Sequence, residues 1–157
     1  MGNCHRGSDL SNILWTSKGW RVSGVRITAG SVVFLARFEV RAPRTCARFQ
    51  ALLPYRQRII HVRWSGEACW IPLGDLDLGI GPENATSYPA PGQILLYPGG
   101  ISETEILLAY GAVAFASKAG PLAGNHFLTV TEGLEQLRPL GERTLWEGAQ
   151  EILFELV

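Results

Sequence analysis

The chain has 157 residues and lacks a long apolar run, an excess of charge of either sign, and a close pair of cysteines. Each absence removes a class of function. Crossing a bilayer as a helix takes about twenty consecutive apolar residues, and no stretch approaches that length. Lys+Arg and Asp+Glu both number 14, for a formal net charge of zero. Such a balance builds no basic surface for a phosphate backbone, so no nucleic-acid or membrane partner is expected. A near-neutral protein also repels its own copies weakly, and a homo-oligomer is expected. Cys4, Cys46 and Cys69 are an odd number and far apart. That usage fits a reducing, cytoplasmic location without a disulfide framework. Familiar catalytic signatures are missing too: no phosphate-binding glycine loop, no Gly-x-Ser-x-Gly and no His-Glu-x-x-His. His61, Cys69 and His126 have no ligand-like spacing, so neither a metal nor a cofactor is expected.

What is present is a core. Hydrophobic residues make up 46% and charged residues 18%, enough apolar material for one folded domain over 25–157. Met1 to Gly24 is polar and bears Gly and Ser, and reads as a flexible N-terminal extension. Two indoles in it, Trp15 and Trp20, are out of place in a tail that packs nowhere. Met1 to Trp20 has no continuous apolar core, so no signal peptide is expected there.

Val25–Ile27 and Ser31–Glu39 read as strands around the Ala29-Gly30 turn. A helix follows, with Pro43 in its first turn, Cys46, Phe49 and Leu52/Leu53 on one face, and Pro54 as its stop. Gln57 to Trp64 alternates, with Ile60, Val62 and Trp64 on one side and His61 and Arg63 on the other. A two-residue Ser65-Gly66 turn would set His61 opposite Trp70 and put Glu67 on the other face from Arg63. Gly74 to Gly92 is a long Gly- and Pro-bearing connection, the kind often tied to function. Gln93–Tyr97, Thr104–Leu108 and His126–Thr131 read as strands, Leu134, Leu137 and Leu140 as a short helix, and Gln150–Leu156 as the last strand. Gly111 to Asn125 reads as loop or very short strands. About eight strands and two helices, without βαβ alternation, describe a mostly β fold: an antiparallel barrel plugged by its helices.

The same order of motifs carries a resemblance. Ala42-Pro43-Arg44-Thr45-Cys46-Ala47-Arg48-Phe49-Gln50-Ala51-Leu52 resembles the first helix of cyclophilins. Pro91-Gly92-Gln93-Ile94-Leu95 and Val130-Thr131-Glu132-Gly133 are similar to later cyclophilin motifs. More closely, Trp64-Ser65-Gly66-Glu67, Glu83 to Pro89, Tyr97 to Glu103 and Ala123 to Phe127 resemble a family of small bacterial cyclophilin-like proteins of uncharacterised function. The resemblance implies a closed eight-stranded cyclophilin-like barrel with two capping helices, and no activity. Ile60-His61-Val62-Arg63-Trp64 departs from the Phe-His-Arg run of the prolyl isomerases, and their Gln and apolar proline pocket have no clear counterpart.

Several side chains can carry chemistry. Glu103 and Glu105 alternate on a strand, about 6.5–7 Å apart by strand rise, and carboxylates that close push their pKa values apart. Glu103, beside the glycine turn, is the favoured acid; a solvated strand edge is the plain alternative. Asn125 and His126 stand at a strand mouth, where His can act as a base and Asn can hold an oxyanion. The plain alternative is a turn Asn with a structural His. Lys118, one of two lysines, stands among small residues and would attract an anion. Arg63 can clamp an anion, Glu67 borders a turn, and the Tyr88 phenol can line a pocket wall. These residues suit a small polar ligand bearing a carboxylate or amide, bound or hydrolysed in a pocket of the 84–127 segment. A prolyl isomerase and a non-catalytic homo-oligomeric assembly domain are the competing expectations.

Overall fold

The computed structural model describes residues 24–157 and, ahead of them, the backbone of Ile13–Thr16 and Gly19–Val22. Those two segments, β1 and β2, pair antiparallel with Trp15 opposite Trp20. The rest of the expected extension, Cys4 included, lies outside the described residues.

Next come β3 (Gly24–Ala29), β4 (Val32–Phe38), α1 (Pro43–Gln50), β5 (Tyr55–His61) and β6 (Gly66–Pro72). They are followed by β7 (Ala85–Thr86), β8 (Gln93–Tyr97), β9 (Glu105–Val113), β10 (Ala116–Ser117) and β11 (Gly120–Pro121). The chain ends with β12 (Gly124–Glu132), α2 (Leu137–Trp146) and β13 (Gln150–Leu156). One sheet runs β4-β3-β13-β5-β6-β9-β8-β12, and β12 returns to pair with β4. All of these pairings are antiparallel, so eight strands close a barrel and leave no open edge among themselves. The barrel expected from the sequence is therefore the fold, with two helices.

Alternation decides what fills the barrel. Ile27, Phe34, Ile59, Ile71, Ile94, Leu96, Ile106, Phe127 and Phe154 all point inward into one buried cluster. Phe49 of α1 joins them, edge-on to Phe127 and Phe154 with ring centroids 4.9 and 5.1 Å away. It also meets Tyr55 at the start of β5. The other end of β5, at His61, meets Tyr110, which packs under α2. The two helices thus lie at opposite ends of β5 and close opposite ends of the barrel.

A second cluster lies outside the barrel wall. Val62, Ala68, Leu95, Tyr97 and Leu107 face away from the interior, and Phe115 and Leu122 cover them. The 114–123 excursion is pinned there by Phe115 N–H donating to Ser87 O (2.7 Å) and by the buried Ser65 hydroxyl bonded to Ala116. This layer buries the outer face of β6, β8 and β9, which the sequence reading left open.

One expected register is corrected. Arg63–Ser65 is a turn of 3-10 helix rather than the end of a strand, so the connection is longer than a two-residue hairpin. His61 consequently pairs with Cys69, and Ile60 with Trp70. A one-residue slip moves every side chain to the opposite face. Glu67 therefore comes to the same barrel mouth as His61 and Arg63, and Trp70 goes to the outside. Gly66 makes the turn possible: it has φ of +102°, and a Cβ there would lie 2.5 Å from Ala112 O.

Candidate functional site

The outer layer leaves a groove of about 360 Å³ at its margin. Its walls are Trp64 and Trp70, its floor Glu105, and its rim Glu103 and Lys118. Trp64 stands within the 3-10 turn, half-exposed, with its ring edge-on to Trp70 at 5.9 Å between centroids. Trp70 points outward from β6 because of the register just described. Lys118 is set over the groove by the tight β10–β11 turn.

Glu105 is the unusual group. It opens β9, paired with Pro72 on one side and Tyr97 on the other, and only 4% of its surface is exposed. Burial in this position, reinforced by the nearby charge of Glu103, pushes its carboxyl up to about 7. Its Oε1 has no hydrogen-bond partner among the described residues, and neither has the buried Trp70 Nε1. One acceptor and one donor, both buried and unbonded among the described residues, thus belong to side chains that line one groove. Unmet polar groups of this kind cost stability on the order of 1–3 kcal/mol each. Glu103 is exposed, with its Oε2 accepting from Gly74 N–H at 3.0 Å. Of the two expected acids, then, the buried one with the displaced proton affinity is Glu105. Such a carboxyl can exchange a proton near neutral pH, and Lys118 lines the same groove.

The other residues singled out from the sequence go elsewhere. Asn125 is fully buried and its amide is fully used: Oδ1 accepts from Glu83 N–H, and Nδ2 donates to Thr45 Oγ1 and Gly81 O. Thr45 in turn donates through both N–H and hydroxyl to Glu83. This closed network fastens the 81–84 loop to α1 and leaves Asn125 no group for an oxyanion. His126 Nε2 lies 2.7 Å from Thr129 Oγ1 and 3.7 Å from Glu39 Oε1. Burial lowers its pKa, opposed by Glu39. It lines neither this groove nor the one below. Tyr88 is 76% exposed and lines neither groove. Arg63 and Glu67 share a different groove, at the α2 end of the barrel, with His61, Tyr110 and Arg138. The structure therefore brings Glu103 and Lys118 together and separates them from Asn125, His126, Arg63 and Glu67.

Sequence reasoning missed Glu105 as the perturbed acid and the two indoles as walls. A signal for Glu105 was present: it alternates with Leu107 and Ala109, so it is buried wherever they are. For Trp70 the two-residue turn concealed the answer.

Among the described residues no three His, Cys, Asp or Glu side chains are placed to hold a metal. No helix there is long and apolar enough to cross a membrane. Cys46 and Cys69 are buried free thiols, pushed up to about 12 and about 11 by burial, and are poor nucleophiles.

Residues 25–156 match the model of a family described as a protein of unknown function, DUF3830. No curated protein matches the chain. Solved structures share its fold, among them the following three. McbB in complex with tryptophan superposes with a TM-score of 0.67 at 18% identity, over 83% of this chain and 44% of that one. The chain thus spans less than half the length of McbB. A hypothetical protein from Archaeoglobus fulgidus gives 0.58 at 14% identity, over 84% and 92%. A cyclophilin-type peptidyl-prolyl cis-trans isomerase from Cryptosporidium parvum, solved in the presence of the dipeptide Ala-Pro, gives 0.53 at 16% identity, over 85% and 97%. Identities this low carry the fold and no activity.

Proposed function

The chain belongs to the DUF3830 family of proteins of unknown function and has a cyclophilin-like barrel; from that premise we propose that it binds a small polar molecule in the groove of Trp64, Trp70, Glu105 and Lys118. The observation that carries this reading is the buried Glu105 carboxyl, unbonded at Oε1 and displaced to about 7, in a groove also lined by Trp70, whose indole N–H is unbonded among the described residues. A ligand that offers one donor and one acceptor satisfies both. A planar amide or a carboxylate does so, packs against the indole walls, and finds Lys118 at the rim for its negative end. Glu105 further gives the site a proton donor and acceptor at neutral pH. Acid–base hydrolysis of an amide is the chemistry that this supports.

The test is a thermal-shift screen of small cyclic amides and carboxylates. A ligand specific for the folded state raises Tm by mass action. We expect at least one to do so in the wild type and to lose most of its shift in Glu105→Gln and in Lys118→Gln. A shift that survives both substitutions removes this groove from consideration. Hydrolysis is read on the same ligands by product release. A proline-peptide assay that runs no faster than buffer removes the isomerase alternative.

A further inference from the structure

A second groove, of about 370 Å³, lies at the α2 end of the barrel and takes no part in the reading above. Its floor is Tyr110 with His61; Arg63 and Glu67 flank it on one side, Arg138 and Trp146 of α2 on the other. The floor is rigidly built. Tyr110 is buried on β9, and Gly141 of α2 rests directly on its ring, with no room there for a side chain.

The proton on the floor can be placed. Tyr110 Oη lies 2.6 Å from His61 Nε2, while His61 Nδ1 is buried with no partner among the described residues. Burial, aided by the Arg63 charge, lowers the His61 pKa, so the ring is neutral at pH 7. A neutral imidazole has one N–H. Placed on Nδ1 it would be a buried unmet donor; placed on Nε2 it donates to Tyr110 and leaves Nδ1 a bare lone pair, the cheaper omission. This assignment follows from the bonding pattern. Tyr110 then keeps its own hydroxyl proton for something else.

The charges of the groove are used unequally. Glu67 already accepts from Arg138 Nη1 at 2.7 Å and from Ala112 N–H at 3.1 Å. Arg138 also sits 5.5 Å above the Tyr110 ring centroid. Arg63, by contrast, is paired with no carboxylate among the described residues. Glu142 is the one other carboxylate lining the groove. The lining therefore offers the Arg63 guanidinium and the Tyr110 hydroxyl against a single unspent acidic group. A donor-rich lining calls for an acceptor-rich ligand, and a guanidinium fork matches a carboxylate best. Trp146, 79% exposed, adds a flat apolar flank.

We infer that this groove is a second ligand site, for a small carboxylate with an apolar or aromatic body, anchored by Arg63 and the Tyr110 hydroxyl and flanked by Trp146.

Benzoate is the probe, titrated into the 15N-labelled full chain and followed by NMR. The expected result is saturable shifts of the Trp146 indole and His61 imidazole signals. Arg63→Gln, an exposed position, should weaken binding by about tenfold or more, the effect of losing a charge-assisted hydrogen bond. Glu142→Gln should tighten it by about threefold, by relieving a screened repulsion. Shifts that do not saturate, unchanged affinity in Arg63→Gln, or weaker binding in Glu142→Gln each overturn the assignment. The Trp64 and Trp70 indoles report on the other groove, so shifts confined to them also overturn it while leaving the first reading intact.

Discussion

Glu105 is held where its charge is costly, and that makes it visible to pH. Its carboxyl titrates at about 7 in the folded chain and near 4.5 when unfolded. The folded state thus binds the proton more tightly. Its contribution to stability is complete below about 4.5 and is lost as pH rises through 7. The loss expected is on the order of 2–3 kcal/mol. Urea unfolding at pH 5 and pH 8 should show this fall in the wild type and a flatter profile in Glu105→Gln. An identical pH dependence in the two proteins would sink the assignment. From the sequence, Glu103 and Glu105 stand on one face of one strand. Which of them loses its water depends on the layer outside the barrel, whose Phe115 and Leu122 lie ten or more positions along and pack with Leu107 of β9. Alternation identifies the pair; only the covering layer separates its members.

At the scale of elements, α2 and the 3-10 turn after β5 do the positioning. α2 brings Gly141 onto the Tyr110 ring and Leu137 and Leu140 into the core. A methyl group at position 141 would drive into a ring that cannot turn away, because strand β9 and His61 hold it. Gly141→Ala should therefore destabilise by about 1–3 kcal/mol, as overpacking does, despite the higher helix propensity of alanine. A lowered Tm together with a displaced His61 imidazole signal would confirm the contact; an unchanged or raised Tm would contradict it. Helix α2 was legible from its leucine spacing, and α1 from Pro43 and the Cys46/Phe49 face. The turn was not. Ser65-Gly66 suits a two-residue hairpin as well as the end of a 3-10 turn, and the two differ by one step of register. That step alone decides whether Glu67 joins His61 and whether Trp70 faces out.

For the whole molecule, closure of the barrel ties its first and last strands, β3 and β13, into one cooperative unit. β13 lies between β3 and β5, and β12 seals against β4. Phe49 is shared by helix and barrel through its contacts with Tyr55, Phe127 and Phe154. Phe49→Ala should cost about 3–5 kcal/mol, seen as a lower urea midpoint with the slope of a single transition preserved. Two separate transitions would mean that α1 and the barrel do not fold as one.

The fold class was set by local pattern, because a strand buried on one face must alternate and a helix must repeat at its own period. Those constraints act between near neighbours, so they are written in order along the chain. The grooves obey no such rule. Glu105, Trp70 and Lys118 meet because one turn shifts a register and one excursion crosses the outside of the barrel. Arg63 meets Trp146 because α2 closes the end. Side chains brought together from distant positions leave no spacing in the sequence, and only packing decides which of them face the same space.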